Sequence, residues 1–176
     1  MVTGTSAGLA ALVVRVPEAE FAVRKWRGRL DPAAREGVPA HVTVLFPFLP
    51  ARGIDGAALA ALGEVFGRHR SFEVAFERCG RLPGLLYLAP EPDEPFRRLT
   101  EAIVDRWPES PPYGGRFDDV VPHLTVAQRQ DDLVVLEEAE ADLNGRLPFT
   151  ARVSAVDLVV HDGTRWQQRM AFPLRR

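Results

Sequence analysis

The sequence predicts a single α+β domain over residues 1–176, built as two lobes of antiparallel sheet with helices on the outside and a cleft between the lobes. We expect the lobes to be related by an approximate two-fold axis. Two observations predict this fold. The order strand–helix–strand–helix–strand occurs twice, in residues 9–79 and 85–160, before a terminal strand at 164–174. In addition, a short motif containing histidine and threonine occupies the third element of both copies.

In the first copy, an apolar, β-branched run predicts a strand at 9–16, and helical spacing of apolar residues among charges predicts a helix at 18–30. The first motif lies in an apolar strand at 41–48, which a proline closes. An alanine-rich segment with leucines predicts a helix at 57–68. Apolar and polar residues then alternate at 72–76, which is typical of a strand with one solvated face.

In the second copy, a strand is predicted at 85–89, and apolar residues at helical spacing predict a helix at 96–107 that a proline ends. The second motif strand is predicted at 120–127 and the next helix at 133–143. A long β-branched segment predicts one strand at 149–160. A glycine-containing turn then leads to the last strand, whose apolar segment begins at Trp166.

The two motifs are His41-Val42-Thr43-Val44 and His123-Leu124-Thr125-Val126. Successive side chains of a strand point to opposite faces, so each histidine shares a face with its threonine while the apolar residues point into a core. Two such pairs facing each other would form a site for an anion, with acid–base groups on both sides. The alternative for either motif alone is a structural strand histidine beside a threonine of high β propensity. The joint occurrence favours function.

The remaining histidines are interpreted as structural. His69 also belongs to a His-x-Ser pattern, but it lies where a helix ends among arginines, so we expect a solvated position. His161 belongs to a hairpin turn.

Composition favours a soluble, cytoplasmic protein, which we expect to be a monomer. Lys plus Arg number 22 and Asp plus Glu number 24, so the balanced charge argues against a long nucleic-acid footprint. Cys79 is the single cysteine, which excludes a disulfide framework and a cysteine metal cluster. The N-terminus has no basic leader, and the apolar run 9–14 is too short to span a membrane.

With its two His-x-Thr-apolar tetrads, the chain resembles the two-histidine (2H) phosphoesterase superfamily, also called the 2′-5′ RNA ligase-like family. The similarity extends to HVTVLFPFLP at 41–50, LPGLLYLAP at 82–90 and PHLTVA at 122–127, so it covers most of the chain. Many members have leucine as the fourth motif residue, whereas both tetrads here end in valine.

The resemblance implies hydrolysis of a 2′,3′-cyclic phosphate on an RNA end or a nucleotide, or of a related cyclic phosphodiester, without a metal or other cofactor. Histidine titrates near neutrality, so His41 and His123 would serve as general acid and general base, in an order that the sequence leaves open. Thr43 and Thr125 would donate hydrogen bonds to the phosphate oxygens.

Two further residues are candidate substrate contacts. Arg129 lies on the motif face if the alternation 123, 125, 127, 129 holds, where it would pair with phosphate; the alternative is a solvated strand end. Tyr113 lies in a glycine-flanked loop and would cover the cleft or stack on a base. Loops 31–40 and 108–119 precede the motifs and are expected to rim the cleft. The aromatic residues interpreted as core are Phe46, Phe48 and Trp166.

Three rival functions stay open. A zinc site would need a third ligand, and no cysteine, aspartate or glutamate recurs beside the motifs. A non-catalytic nucleotide- or RNA-binding module would keep the threonines but would not need both histidines. A 2′-5′ RNA ligase would be expected to carry a larger positive surface than this chain offers.

Overall fold

The computed structural model describes residues 6–176; residues 1–5, the start of the segment expected to lack a leader, lie outside it. The described residues form eight strands: β1 (Ala10–Arg15), β2 (His41–Leu45), β3 (Phe72–Leu82), β4 (Leu85–Glu91), β5 (Leu124–Gln128), β6 (Phe149–Val153), β7 (Ala155–His161) and β8 (Trp166–Pro173). The helices are α1 (Glu20–Leu30), α2 (Pro32–Arg35), α3 (Gly56–Gly67), α4 (Glu94–Arg106) and α5 (Leu133–Asn144).

All eight strands form one antiparallel sheet in the order β6-β3-β4-β5-β2-β1-β7-β8. The predicted α+β class is therefore confirmed. The motif strands β2 and β5 are adjacent at the centre, with β1 and β4 on either side. The chain changes from one half of the sheet to the other twice: β3 follows the motif strand β2 but pairs with β4, and β7 follows β6 but pairs with β1. Each half of the sheet thus combines strands from both predicted repeats, and the division into repeats 9–79 and 85–160 stays a prediction.

The prediction of a single strand at 149–160 is wrong, because this segment forms two strands, β6 and β7. Only Ser154 separates β6 from β7, yet β6 pairs with β3 and β7 pairs with β1 and β8. Because two peptide units span about 7 Å at most, distant parts of the sheet approach each other here. The extended segment exchanges its partners at this point, and the sheet is strongly curled.

Other boundaries also differ from the prediction, and β3 continues to Leu82, beyond the predicted end at residue 76. Loop 31–40 contains the short helix α2, which Asp31 caps by accepting a hydrogen bond from the Ala33 amide at 3.0 Å. The first motif strand ends at Leu45 rather than at residue 48. The second begins at Leu124, so His123 lies immediately before its strand.

The main core lies between the helices and one face of the sheet. The apolar motif residues Val42 and Leu124 are fully buried in it, together with helix residues such as Phe66 and Ile103. The motif histidines and threonines are only partly buried, because they project from the opposite face. We call this second surface the open face.

Candidate active site

The two motifs meet in a diagonal arrangement on the open face. Val42 pairs with Leu124 between the antiparallel strands β2 and β5. One step in either direction along this register places His41 opposite Thr125 and Thr43 opposite His123. The site therefore has an imidazole and a hydroxyl from each strand, with like groups at opposite corners. The two His–Thr pairs that the sequence predicts thus lie side by side on neighbouring strands of one sheet.

Both imidazoles are held in the same way. His41 Nδ1 lies 2.8 Å from the carbonyl oxygen of Pro39, and His123 Nδ1 lies 2.7 Å from that of Val121. A carbonyl oxygen only accepts, so Nδ1 carries the hydrogen in each ring. In the neutral ring Nε2 is then the unprotonated nitrogen. Each histidine can accept and return a proton at Nε2 while Nδ1 stays occupied.

An arginine on a helix supports each of these loops. Arg27 of α1 donates to the carbonyl oxygen of Val38 at 3.0 Å, and Arg97 of α4 donates to that of Val120 at 3.2 Å. Each acceptor lies three residues before the motif histidine. The two arginines therefore fix the backbone whose next carbonyl orients the imidazole. Sequence reasoning missed both, because local periodicity carries no signal for a bond between a helix side chain and a distant loop.

The supports differ in their surroundings. Arg27 is 3% exposed and forms an ion pair with Asp31, which is 1% exposed, at 2.9 Å. Arg97 lies nearer the surface and pairs with Asp93 and Asp119. The two halves thus share a geometry but not an electrostatic environment.

This difference affects the pKa values of the two histidines. Burial lowers the pKa of His41 to about 4, and the positive charge of Arg27 contributes to the shift. Burial also lowers the pKa of His123, while its hydrogen bond to Val121 opposes the shift. Without ligand, the neutral form of both rings is therefore favoured at pH 7. An anion between them would favour the protonated form of a ring.

Tyr113 joins the loop before the second motif to the first motif. Its phenol lies beside the Thr43 side chain, and its backbone N–H donates to the Phe46 carbonyl oxygen at 2.6 Å. Burial raises the pKa of the Tyr113 phenol, and the neighbouring Thr43 hydroxyl partly opposes this. Loop 108–119 therefore reaches the site, and the phenol lies beside one of the predicted phosphate-binding hydroxyls.

Tyr87 of β4 is a site residue that sequence reasoning missed. It pairs with Thr125 across the strands, and its ring centroid lies 5.7 Å from that of His123. The ring covers Gly80 on β3, where an added Cβ would lie 2.3 Å from the ring. Gly80 therefore makes room for Tyr87. The alternation within the LLYLA segment was the available signal, since it puts Tyr87 on the less buried face of its strand.

Arg129 is not where the simple alternation puts it. The register between β4 and β5 shifts by one residue, and Ala127, expected on the motif face, is fully buried in the core. The exposed position opposite Leu85 goes to Gln128 instead. Arg129 follows as an exposed residue with φ 56°, in the bend after the strand. A phosphate contact of Arg129 stays a prediction, now without the register that motivated it.

The three aromatic residues assigned to the core divide into two groups. Phe48 is buried in the main core, as predicted. Phe46 and Trp166 are only partly buried, with ring centroids 6.0 Å apart. They pack against a separate small cluster on the open face, formed by Ala11, Val13 and Val159.

The described part of the chain contains neither a cluster of metal ligands nor a membrane-spanning helix. Residues 6–176 contain no group of three or more His, Cys, Asp or Glu side chains placed to hold a metal ion. None of the helices described is long and apolar enough to cross a membrane. His161 is 3% exposed and pairs with Glu36 at 3.2 Å, which agrees with its structural interpretation.

The sequence model of the 2′-5′ RNA ligase superfamily matches residues 14–165, which is most of the chain and includes both tetrads. The chain belongs to this superfamily. The resemblance inferred from the paired tetrads is confirmed, and membership indicates a phosphoesterase-type or RNA-related activity. None of the curated proteins is similar enough in sequence to count as a match.

Solved structures of this superfamily share the fold. LigT of E. coli, in complex with 3′-AMP, is 16% identical with a TM-score of 0.65, and the match covers 96% of this chain and 99% of LigT. TT0787 of Thermus thermophilus is 19% identical with a TM-score of 0.64, covering 95% of this chain and 98% of TT0787. LigT has also been solved in complex with NADP+, at 17% identity and a TM-score of 0.62, with coverage of 97% and 99%. At these identities the likeness establishes the fold alone.

Proposed function

We propose that the protein is a phosphodiesterase that hydrolyses a 2′,3′-cyclic phosphate, on an RNA end or a nucleotide, by metal-independent two-histidine catalysis. The observation that carries this proposal is the diagonal arrangement of two imidazoles, each held at Nδ1 by a backbone carbonyl. Such a pair leaves one Nε2 for each side of a phosphorus atom placed between the strands. A non-catalytic binding site has no need for two matched rings.

The reaction would start with one imidazole neutral and the other protonated. The neutral imidazole takes a proton from water through Nε2 while the water oxygen bonds to phosphorus. The bond from phosphorus to one ribose oxygen breaks, and the protonated imidazole gives its Nε2 proton to that oxygen. The rings exchange protonation states and re-equilibrate with solvent. Each proton transfer contributes about a hundred- to ten-thousand-fold.

The remaining groups would stabilise the charge that builds on phosphorus oxygens. Thr43 and Thr125 lie at the other two corners of the arrangement, where their hydroxyls can donate to the non-bridging oxygens. Tyr113 lies beside Thr43, where its phenol can act as a further hydrogen-bond donor. The complexes of LigT with 3′-AMP and NADP+ support a nucleotide as the ligand class, though they concern LigT itself.

The test is turnover of 2′,3′-cyclic nucleotides in EDTA by the wild type and by His41→Ala and His123→Ala. His69→Ala is a matched control, because His69 lies at the end of α3 and its hydrogen bonds come from its backbone. We expect the wild type and the His69→Ala control to hydrolyse the substrate. The turnover rate should be at least about a hundredfold lower in each motif variant. Nucleotide binding without turnover, unchanged in both motif variants, would instead identify a binding module.

A further inference from the structure

A cavity of about 260 Å³ opens on the open face beside His41. Strands β1, β7 and β8 and the loop after α2 form its walls. Two of its lining residues connect it to the site: Arg15 is the cross-strand neighbour of His41, and Pro39 provides the carbonyl that holds the His41 ring. A ligand whose phosphate lay between the histidines could therefore extend into this cavity.

At the corresponding place in the other half of the sheet, a tyrosine ring occupies the space. Tyr87 pairs with Thr125, and Val13 pairs with Thr43, so the two occupy matching positions beside the motif strands. On one side the tyrosine ring fills the space above Gly80. On the other side the smaller valine leaves the cavity open. This asymmetry gives the substrate a direction across an otherwise symmetric site.

The walls of the cavity suit a flat heteroaromatic ring. Val13 and Val159 form an apolar floor, and the partly buried Trp166 provides an aromatic surface. At the polar side, Arg15 and Gln168 both bond to Asp157, which is 3% exposed. A guanidinium and a carboxamide together present donors and an acceptor, which the edge of a nucleobase requires.

The cavity is also preformed. The Trp166 backbone N–H donates to the Glu36 carbonyl oxygen at 2.8 Å, which ties the last strand to the loop after α2. The Glu36 carboxylate lies 3.2 Å from His161 Nε2 in the same region. The wall that carries the tryptophan is therefore held in place without a ligand.

We propose that this cavity binds the nucleobase of the nucleoside that carries the cyclic phosphate. The inference rests on the proposed function and adds the substrate's orientation, with the nucleoside on the Arg15 side of the histidine pair. At about 260 Å³ the cavity is smaller than sites for whole ligands, which measure about 300–1,000 Å³, and it fits one ring system. The substrate class is then a nucleoside 2′,3′-cyclic phosphate, free or at an RNA end, rather than any cyclic phosphodiester.

The test compares a substrate with a base and one without. We would measure kcat/KM of the wild type and of Gln168→Trp on adenosine 2′,3′-cyclic phosphate and on glycerol 1,2-cyclic phosphate. The tryptophan of this variant would fill the cavity from an exposed position on β8. Met170→Trp is the matched control, because Met170 is exposed on the same strand and does not line the cavity. We expect the ratio of kcat/KM for the two substrates to fall by at least about tenfold in Gln168→Trp and to stay at the wild-type value in the control.

A second variant addresses the aromatic surface. Trp166→Ala is expected to lower the same ratio by about tenfold, with the far-ultraviolet circular dichroism unchanged. The inference is overturned if the ratio is unaffected in Gln168→Trp, or if it falls equally in the Met170 control.

Failure of the proposed function would be recognised separately. If the wild type hydrolyses neither substrate, the proposed activity is wrong, and calorimetric binding of adenosine 3′-monophosphate decides the fate of the cavity. Binding that weakens by about tenfold in Gln168→Trp alone would support a base site without catalysis. The inference is overturned if adenosine 3′-monophosphate does not bind, or if it binds equally to the wild type, Gln168→Trp and Met170→Trp.

Discussion

The depressed pKa values of the two histidines predict an acidic pH optimum. The profile of kcat/KM reports the ionisation of the free enzyme, and the active form has one proton shared between the two rings. The pKa of His41 is about 4, and that of His123 lies below the ordinary value of 6.5. We therefore expect a bell with one limb near pH 4 and both limbs below pH 6.5. About one unit above 6.5, kcat/KM should be at least about tenfold below its maximum.

The assay is the initial rate on 2′,3′-cyclic nucleotides at substrate concentrations below KM, across a series of buffers of constant ionic strength. A maximum above pH 7, or an acid limb at pH 6.5, would refute the reasoning from burial. Assigning either limb to one ring is not required, because the two rings titrate as a coupled pair.

Loss of folded protein at low pH must be separated from the acid limb. The pKa of His41 is lower in the folded chain than its ordinary 6.5, so its contribution to stability is complete above pH 6.5 and is lost as the pH falls toward 4. A difference of about 2.5 pKa units corresponds to about 3 kcal/mol at most. Circular dichroism at each pH gives the folded fraction by which the rates are corrected.

Three further changes test the supports of the site. Tyr113→Phe removes the phenol hydroxyl beside Thr43, so kcat on cyclic nucleotides should fall by about tenfold with little change in the melting temperature. A lowered melting temperature with kcat unchanged would contradict a local role. Gly80→Val introduces a Cβ where the Tyr87 ring lies, so the ring should move and the His123 proton signals should shift in NMR spectra. Unchanged His123 signals would contradict the contact between the Tyr87 ring and His123. Arg27→Met leaves a buried carboxylate unpaired, so the free energy of unfolding should fall by about 3–5 kcal/mol while the pKa of His41 rises. An unchanged pKa in the folded variant would contradict the electrostatic role of this arginine.

The central part of the site was predictable because it depends on short-range pattern. Alternation within a strand placed His41 and Thr43 on one face and Val42 in the core, and the same rule held for the second motif up to Thr125. Matching element order then placed the motifs at equivalent positions. The sequence predicted that the two motifs face each other across a cleft, but no local signal indicated that their strands pair as neighbours in one sheet.

The parts that were missed depend on long-range pairing. A bulge in β5 moved Ala127 into the core and removed the argument for Arg129, and a bulge depends on the partner strand as well as on local sequence. The contact of Tyr87 with His123 required the register between β4 and β5. The bond from Arg27 to the loop before His41 joins a helix to a loop through tertiary packing alone.

The most direct test of the two-histidine mechanism is a double-mutant cycle. We would measure kcat/KM on a 2′,3′-cyclic nucleotide in EDTA for the wild type, His41→Ala, His123→Ala and the double variant. If the two rings act as one acid–base unit, the double variant should be hardly slower than the worse of the single variants. Additive losses would show that the rings act independently, and near wild-type activity in either single variant would contradict the mechanism itself.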